Sequence, residues 1–413
     1  MNFLTKIRLI GYSYNFEKDY IKKIIRNLFG ICFIILAVFI VAAQIFFGIN
    51  YLLFYASVLT LILGIFVLLT GDIDAHAPRR LSINNLDPHK ELACVCTNGT
   101  YGDYYTESFN NQYFVYSDLV NSLLNQYKNK VVFMNDKFEL DEELRKLAPF
   151  ALQQFSTIKN SKLFKARMRL CTDLTPGKLI HREKITVQES DYFSGLCSNE
   201  LALKEIYSKD FDEPIFNGLS LVRGRDLVTN FEDSRCANLV GINTLLLTSD
   251  GKLICEHQDS EYADNYQQLV PSISESLEYP QVSENNLTEF TLQDIVASSI
   301  NEALEKKYGF NESEISTFLV GYARLLNRGG KPEFFAISIT TREFDEICHN
   351  QYMDMNVISL SLVKWDPCEL SGMANYISTM PNVSIQLYLN CAFLSEQLIE
   401  NEALQKFLFD NSF

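Results

Sequence analysis

The chain is 413 residues long and 47% hydrophobic, with 36 basic and 51 acidic side chains for a formal charge of −15. That composition excludes a disordered or collagen-like chain and leaves room for one large or two ordinary domains. Residues 1–80 hold eight Lys/Arg against four Asp/Glu, a balance of +4, so the remainder carries −19. A body this acidic excludes a protein that coats bulk nucleic acid, which needs many basic contacts to phosphate, but not one that holds a small anion with a few cations.

Two uncharged apolar runs come first, residues 28–49 (LFGICFIILAVFIVAAQIFFGI) and 51–70 (YLLFYASVLTLILGIFVLLT). At about 1.5 Å per residue, each is roughly 30 Å long as a helix, the thickness of a bilayer's hydrocarbon core. A signal peptide has a shorter apolar region followed by a cleavage site. The pattern predicts an N-terminal two-helix transmembrane hairpin over residues 28–70, with only Asn50 between the runs. Lys6, Arg8, Lys18, Lys22, Lys23 and Arg26 precede it, Arg79 and Arg80 follow it, and the turn carries no charge. Lys and Arg stay on the cytoplasmic side, which places both ends in the cytosol and the hairpin in the inner membrane. Residues 1–27 read either as a plain cytosolic basic flank or as an amphipathic helix on anionic lipid.

Residues 71–162 read as a polar connector with short elements, such as a helix over residues 116–127. Residues 130–140 (KVVFMNDKFEL) show two apolar runs about an Asn-Asp turn and predict a hairpin. Residues 141–155 follow as a helix that Pro149 should break or kink. Strands are predicted over residues 164–171, 184–188 and 239–248, the last turning at Ser249-Asp250-Gly251, and over residues 334–340 after the turn Asn327-Arg328-Gly329-Gly330-Lys331-Pro332. The chain has ten cysteines, of which Cys32 lies inside the first apolar run, and a cytosolic body predicts free thiols rather than disulfides. Cys94-Val95-Cys96 has no second Cys/His pair at zinc-finger spacing, and with five His and no HExxH no metal site is expected.

The most informative stretch is residues 287–310 (LTEFTLQDIVASSINEALEKKYGF). Thr291 and Asp294 make a capping-box-like start, and Leu292, Ile295, Val296, Ile300, Ala303 and Leu304 form one apolar face. Gly309 stands where a left-handed residue ends a helix. A strand hairpin, a loop, this helix ending in Gly-Phe, then a Gly-Gly turn and a strand: that order resembles a Nudix fold. The phrases Ser190-Asp191-Tyr192-Phe193, Gly195-Leu196-Cys197-Ser198-Asn199 and Pro271-Ser272-Ile273-Ser274-Glu275 are similar to segments of large Nudix-like bacterial domains. The resemblance covers about residues 163–410, so residues 163–413 read as a Nudix-like mixed sheet-and-helix domain, and the fold class as α/β behind a membrane hairpin.

An active Nudix box reads G-x5-E-x7-R-E-U-x-E-E-x-G-U. Anchored on Gly309-Phe310, its Arg-Glu pair falls on Glu302-Ala303 and its last two glutamates on Lys306 and Lys307. The resemblance implies that those glutamates bind Mg²⁺, which needs oxygen ligands; Ala303 and two ammonium groups supply none. Hydrolysis by the usual route is therefore not expected, though Glu302, Glu305 and Asp294 keep a Mg²⁺-dependent, membrane-tethered hydrolase of nucleoside diphosphate derivatives open as the alternative. Lys306 and Lys307 fall within the arc of the helix's apolar face and are candidate phosphate contacts; lysines also complement the dipole of a helix's last turn. Further candidate ligand-binding residues are Arg223, Arg225, Arg324, Arg328 and Lys331 for anions, and Tyr322 and Phe334 to stack on a base. Each of these also reads as an ordinary ion pair or core aromatic.

Two membrane helices joined to a catalytically degenerate Nudix-like domain resemble the transmembrane Nudix-type effectors of the bacterial CBASS antiphage systems. That resemblance implies a sensor, not an enzyme, with no cofactor. It would bind a cyclic di- or trinucleotide made by a partner nucleotidyltransferase, assemble as a homo-oligomer, and disrupt the inner membrane through its bilayer segments. A scaffolding component anchored by its hairpin, with no ligand, is the third reading.

Overall fold

The computed structural model describes residues 81–93, 104–154, 165–208, 213–224, 227–258, 267–280, 290–349, 357–364 and 366–410. They divide between two compact units. The smaller contains the helix Glu142–Gln154, which runs through Pro149 without a break and buries Leu144, Leu147, Ala148 and Ala151. The larger holds the remaining elements discussed below.

In chain order the larger unit begins with β1 (Tyr105–Phe109), β2 (Gln112–Tyr116), α1 (Asp118–Leu123), β3 (Val131–Lys137), β4 (Ala166–Leu170) and β5 (Ile185–Asp191). Next come β6 (Gly241–Leu247), β7 (Lys252–His257), β8 (Leu269–Pro271), β9 (Ile273–Ser276) and α2 (Leu292–Tyr308). It closes with β10 (Ile315–Leu325), β11 (Lys331–Thr340), β12 (Val357–Ser361), α3 (Pro367–Ser378) and α4 (Ile385–Glu400).

The main sheet is mixed, in the order β8-β7-β6-β11-β10-β2-β1, with β9 also on β6 and β12 also on β7. Its central pair, β6 and β11, is parallel from Gly241↔Glu333 to Leu247↔Ile339, and β10 runs antiparallel to β11. Both central strands are buried along their whole length, as a sheet covered on two faces requires. On one face α2 places Leu292, Val296, Ile300 and Leu304 in a cluster with Ile242, Leu246, Phe334 and Ala336. On the other, α4 places Ile385, Leu389, Phe393 and Leu394 with Leu245, Leu247, Phe335 and Ile337. Each such side chain contributes about 1.5–3 kcal/mol when fully buried. The result is a helix–sheet–helix sandwich with the core divided between two faces. A Cβ at Gly321 would lie 2.2 Å from Phe393 Cδ2, so only glycine at this bulge of β10 lets α4 seat against the sheet.

The helix read from residues 287–310 forms as α2, capped by Thr291 accepting from the Asp294 amide and ended by Gly309 at φ 69°. The Asp-Gly turn joins β6 to β7 with Gly251 at φ 76°, and Gly329 and Gly330 take φ 64° and 73° ahead of β11. Residues 130–140 do not form a hairpin: β3 is one strand that pairs in parallel with β5, which in turn pairs with β4. Strands β1 and β2, within the stretch read as a connector, extend the main sheet through β10.

The fold class needs one larger correction. The described molecule is mixed α/β with several sheets, but no described helix is long and apolar enough to cross a membrane. Helices α2 and α4 have 17 and 16 residues, where a span needs about 20 predominantly apolar ones. A transmembrane hairpin and an inner-membrane location are therefore not carried forward. Residues 28–70, on which they were read, lie outside the described residues, as do Cys94 and Cys96.

Candidate functional site

The last turns of α2 do not lie flat on the sheet. Ser299, Glu302, Ala303, Lys306 and Lys307, spaced three and four residues apart, form a stripe that faces Ile242 of β6 and Glu275, Ser276 and Glu278 in and after β9. Between them lies a cavity of about 310 Å³. Glu275 reaches it because it sits directly opposite Ile242 across the β6–β9 ladder, on the face that α2 covers.

The two lysines differ. Lys307 Nζ donates to Glu256 Oε2 at 2.5 Å and to the Ser272 carbonyl at 2.8 Å, and Glu256 also accepts from the Tyr308 hydroxyl. Burial, with the Glu256 charge beside it, pushes the Tyr308 hydroxyl well above its ordinary pKa, so it stays a donor. Lys306 is mostly exposed and its one partner among the described residues is Glu302, 3.7 Å away on the same helix. Opposite them, Glu278 accepts from Lys165 and lies 3.6 Å from Arg167, whose Nη1 donates to the Ser276 carbonyl at 2.7 Å. The Lys165 hydrogen bond, and then the charges of Lys165, Arg167 and Lys306, hold the Glu278 carboxyl below its ordinary value. Glu275 makes no hydrogen bond or ion pair among the described residues and stands exposed at the groove.

Of the candidate ligand-binding residues named in the sequence, Lys306 and Lys307 line this groove, as do Glu302 and Ala303 of the Nudix-box register. Tyr322 and Phe334 are fully buried, their rings 5.0 Å apart in the core under α2, and cannot stack on a ligand. Arg324 is buried and fully committed: Nη1 to Asp173 Oδ1 at 2.7 Å, Nη2 to the Thr229 carbonyl at 2.7 Å and Nε to the Gly330 carbonyl at 3.2 Å, over the Phe231 ring at 3.9 Å. Arg328 pairs with Glu200, and Lys331 with the buried Glu333. Those two border a separate pocket of only about 10 Å³, room for about one water. Arg223 donates to the Glu91 carbonyl at 3.1 Å, and Arg225 lies outside the described residues.

The phrase around Ser198-Asn199 proves to be a clasp. Asn199 donates to the Arg328 carbonyl at 3.0 Å and accepts from the Asn238 amide at 3.0 Å, tying the Gly-Gly turn to the approach to β6. Sequence reading missed Ile242, Glu275, Ser276, Glu278 and Ser299 as groove residues. The available signal was strand alternation, which sends Ile242 to the helix-facing side and its partner Glu275 with it.

The carboxylates that kept hydrolysis open do not converge. Burial pushes the Asp294 carboxyl up, but hydrogen bonds from Lys128 and Thr291 outweigh it, and this residue lies in the first turn of α2, at the far end from the lysines. Glu305 is not among the groove residues. Among the described residues no group of three His, Cys, Asp or Glu is placed to hold a metal ion. No protein-family model matches the sequence, and no curated protein is significantly similar to it.

Proposed function

We propose that the larger unit is a non-hydrolytic nucleotide sensor that takes a phosphate of its ligand at the α2 end of the groove. The observation that carries this reading is the convergence of Ala303, Lys306 and Lys307 on one cavity. In the Nudix-like register these are the positions whose carboxylates would hold Mg²⁺. A divalent cation about 4 Å from one ammonium group is repelled by about 8 kcal/mol at an effective dielectric constant of about 20, whereas a phosphate charge there is attracted by about 4 kcal/mol. Lysines in place of the glutamates thus disfavour a divalent cation at this end and favour a phosphate. The order of a strand hairpin, a loop, α2 and a Gly-Gly turn ahead of β11 is the one on which the Nudix resemblance rests, and it is consistent with this reading.

The CBASS resemblance makes cyclic di- and trinucleotides the first ligands to test. A cavity of about 310 Å³ is near the lower end of small-molecule sites. It admits one nucleotide unit, so the rest of a cyclic ligand stays at the mouth. Calorimetric titration of the full chain with a panel of such ligands, in EDTA, tests the reading. Binding without turnover supports it, and Lys306→Met should weaken affinity about 10–100-fold, the worth of a charge-assisted hydrogen bond. No binding across the panel, or Mg²⁺-dependent turnover, would overturn it.

A further inference from the structure

Beyond a phosphate contact, we infer that the groove selects a guanine base, read by the Glu275 carboxylate from the β9 side of the groove. This rests on the nucleotide reading above and adds the identity of the base.

The groove and its immediate supports are electrically balanced. Lys165, Arg167, Lys306 and Lys307 oppose Glu256, Glu275, Glu278 and Glu302. A plain anion gains little from such a site, but a ligand with a phosphate at one end and hydrogen-bond donors at the other matches it. Three of the four carboxylates already have cationic partners: Glu256 has Lys307, Glu278 has Lys165 and Arg167, and Glu302 has Lys306. Glu275 alone of the four has none among the described residues, and its strand holds it in place opposite Ile242.

An ionised carboxylate is an acceptor on both oxygens and offers no donor. Guanine presents two adjacent donors, N1–H and the 2-amino group, which meet both oxygens at once. Adenine and cytosine each set one amino donor beside a ring-nitrogen lone pair that a carboxylate repels, and uracil flanks its single N–H with two carbonyls. No Asn or Gln, the side chains whose paired donor and acceptor suit adenine, lines the groove.

The experiment is a calorimetric comparison of cyclic di-GMP and cyclic di-AMP on the full chain. Cyclic di-GMP should bind about 10–100-fold more tightly, the range for a bidentate base contact. Glu275→Gln should abolish or invert that preference, since glutamine's paired donor and acceptor suit adenine rather than guanine, and Lys306→Met should weaken both ligands by the same factor. Circular dichroism of each variant checks that it folds, and the exposed position of Glu275 makes a folding defect unexpected. Equal affinities, a preference for adenine, or a guanine preference that survives Glu275→Gln would overturn the base assignment and leave the nucleotide sensor standing. If neither ligand binds at millimolar concentration, the base assignment fails, and if the whole panel of cyclic di- and trinucleotides is also silent the sensor reading fails with it.

Discussion

Replacing Arg324 with Met separates a structural from a ligand-binding role for the most conspicuous arginine near the Gly-Gly turn. The guanidinium and its partner Asp173 are both nearly inaccessible, with side-chain exposures of 8% and 7%. Arg324 makes hydrogen bonds to Asp173, Thr229 and Gly330 and stacks on Phe231. Methionine fills much of the volume but leaves the Asp173 carboxylate buried without its cation and two carbonyls without their donor. Removing one partner of a buried pair costs about 3–5 kcal/mol, most of it from the stranded charge. Burial already pushes the Asp173 carboxyl up despite the charge of Arg324 and the Phe231 amide. Without Arg324 it rises further, so the deficit should shrink as pH falls and the carboxyl protonates. Asp173→Asn in the Arg324→Met background should recover part of the loss, since a neutral amide replaces the stranded charge. Urea unfolding followed by far-UV circular dichroism compares the parent with both variants. A loss below about 1 kcal/mol for Arg324→Met, or weaker nucleotide binding with unchanged stability, would refute the structural role of the Arg324–Asp173 pair and return Arg324 to the ligand site.

Two further outcomes test the packing and the electrostatics away from the groove. Gly321→Ala should cost about 1–3 kcal/mol by forcing Phe393 aside, and Phe393→Leu in that background should restore part of it; no loss would mean that α4 does not seat as described. Burial, then the neighbouring Asp118, Glu107 and Glu400, pushes the Glu396 carboxyl up to about 7. Between pH 4.5 and 7 the folded chain therefore holds a proton that the unfolded chain has lost, and the stability from this group falls as pH rises through that window. The carboxyl is desolvated on one side while much of the Glu396 side chain still meets solvent, so screening limits the effect to about 1 kcal/mol, and Glu396→Gln should be more stable than the parent by that amount at pH 8 but equal to it near pH 4.5. Parallel stability profiles from pH 4 to 8 would contradict this.

Local chemistry was readable in the sequence where it depends on neighbours in the chain. The Thr291 cap, the apolar stripe of α2, the left-handed Gly309 and the Asp-Gly turn after β6 all form as their spacing predicts. Lys306 and Lys307 were placed at the groove by register alone. Pairing between distant segments was not readable. Residues 130–140 look like a hairpin, yet Val131–Lys137 pairs with Ile185–Asp191, and nothing local to Asn135-Asp136 reveals that partner. The same holds for buried charge. Arg324 reads as a surface cation until Asp173, far away in sequence, is brought against it. Tyr322 and Phe334 read as stacking platforms until their burial beneath α2 is seen.

The central claim is that the groove beside α2 binds a nucleotide through lysines where a hydrolase would hold Mg²⁺. Its most direct test is titration of the full chain with cyclic di-GMP, with EDTA or with Mg²⁺, followed by chromatography of the recovered ligand. The account predicts saturable binding that EDTA does not weaken, that Lys306→Met weakens about 10–100-fold, and that returns the ligand intact. Binding that requires Mg²⁺, or ligand recovered as cleaved product, would contradict it.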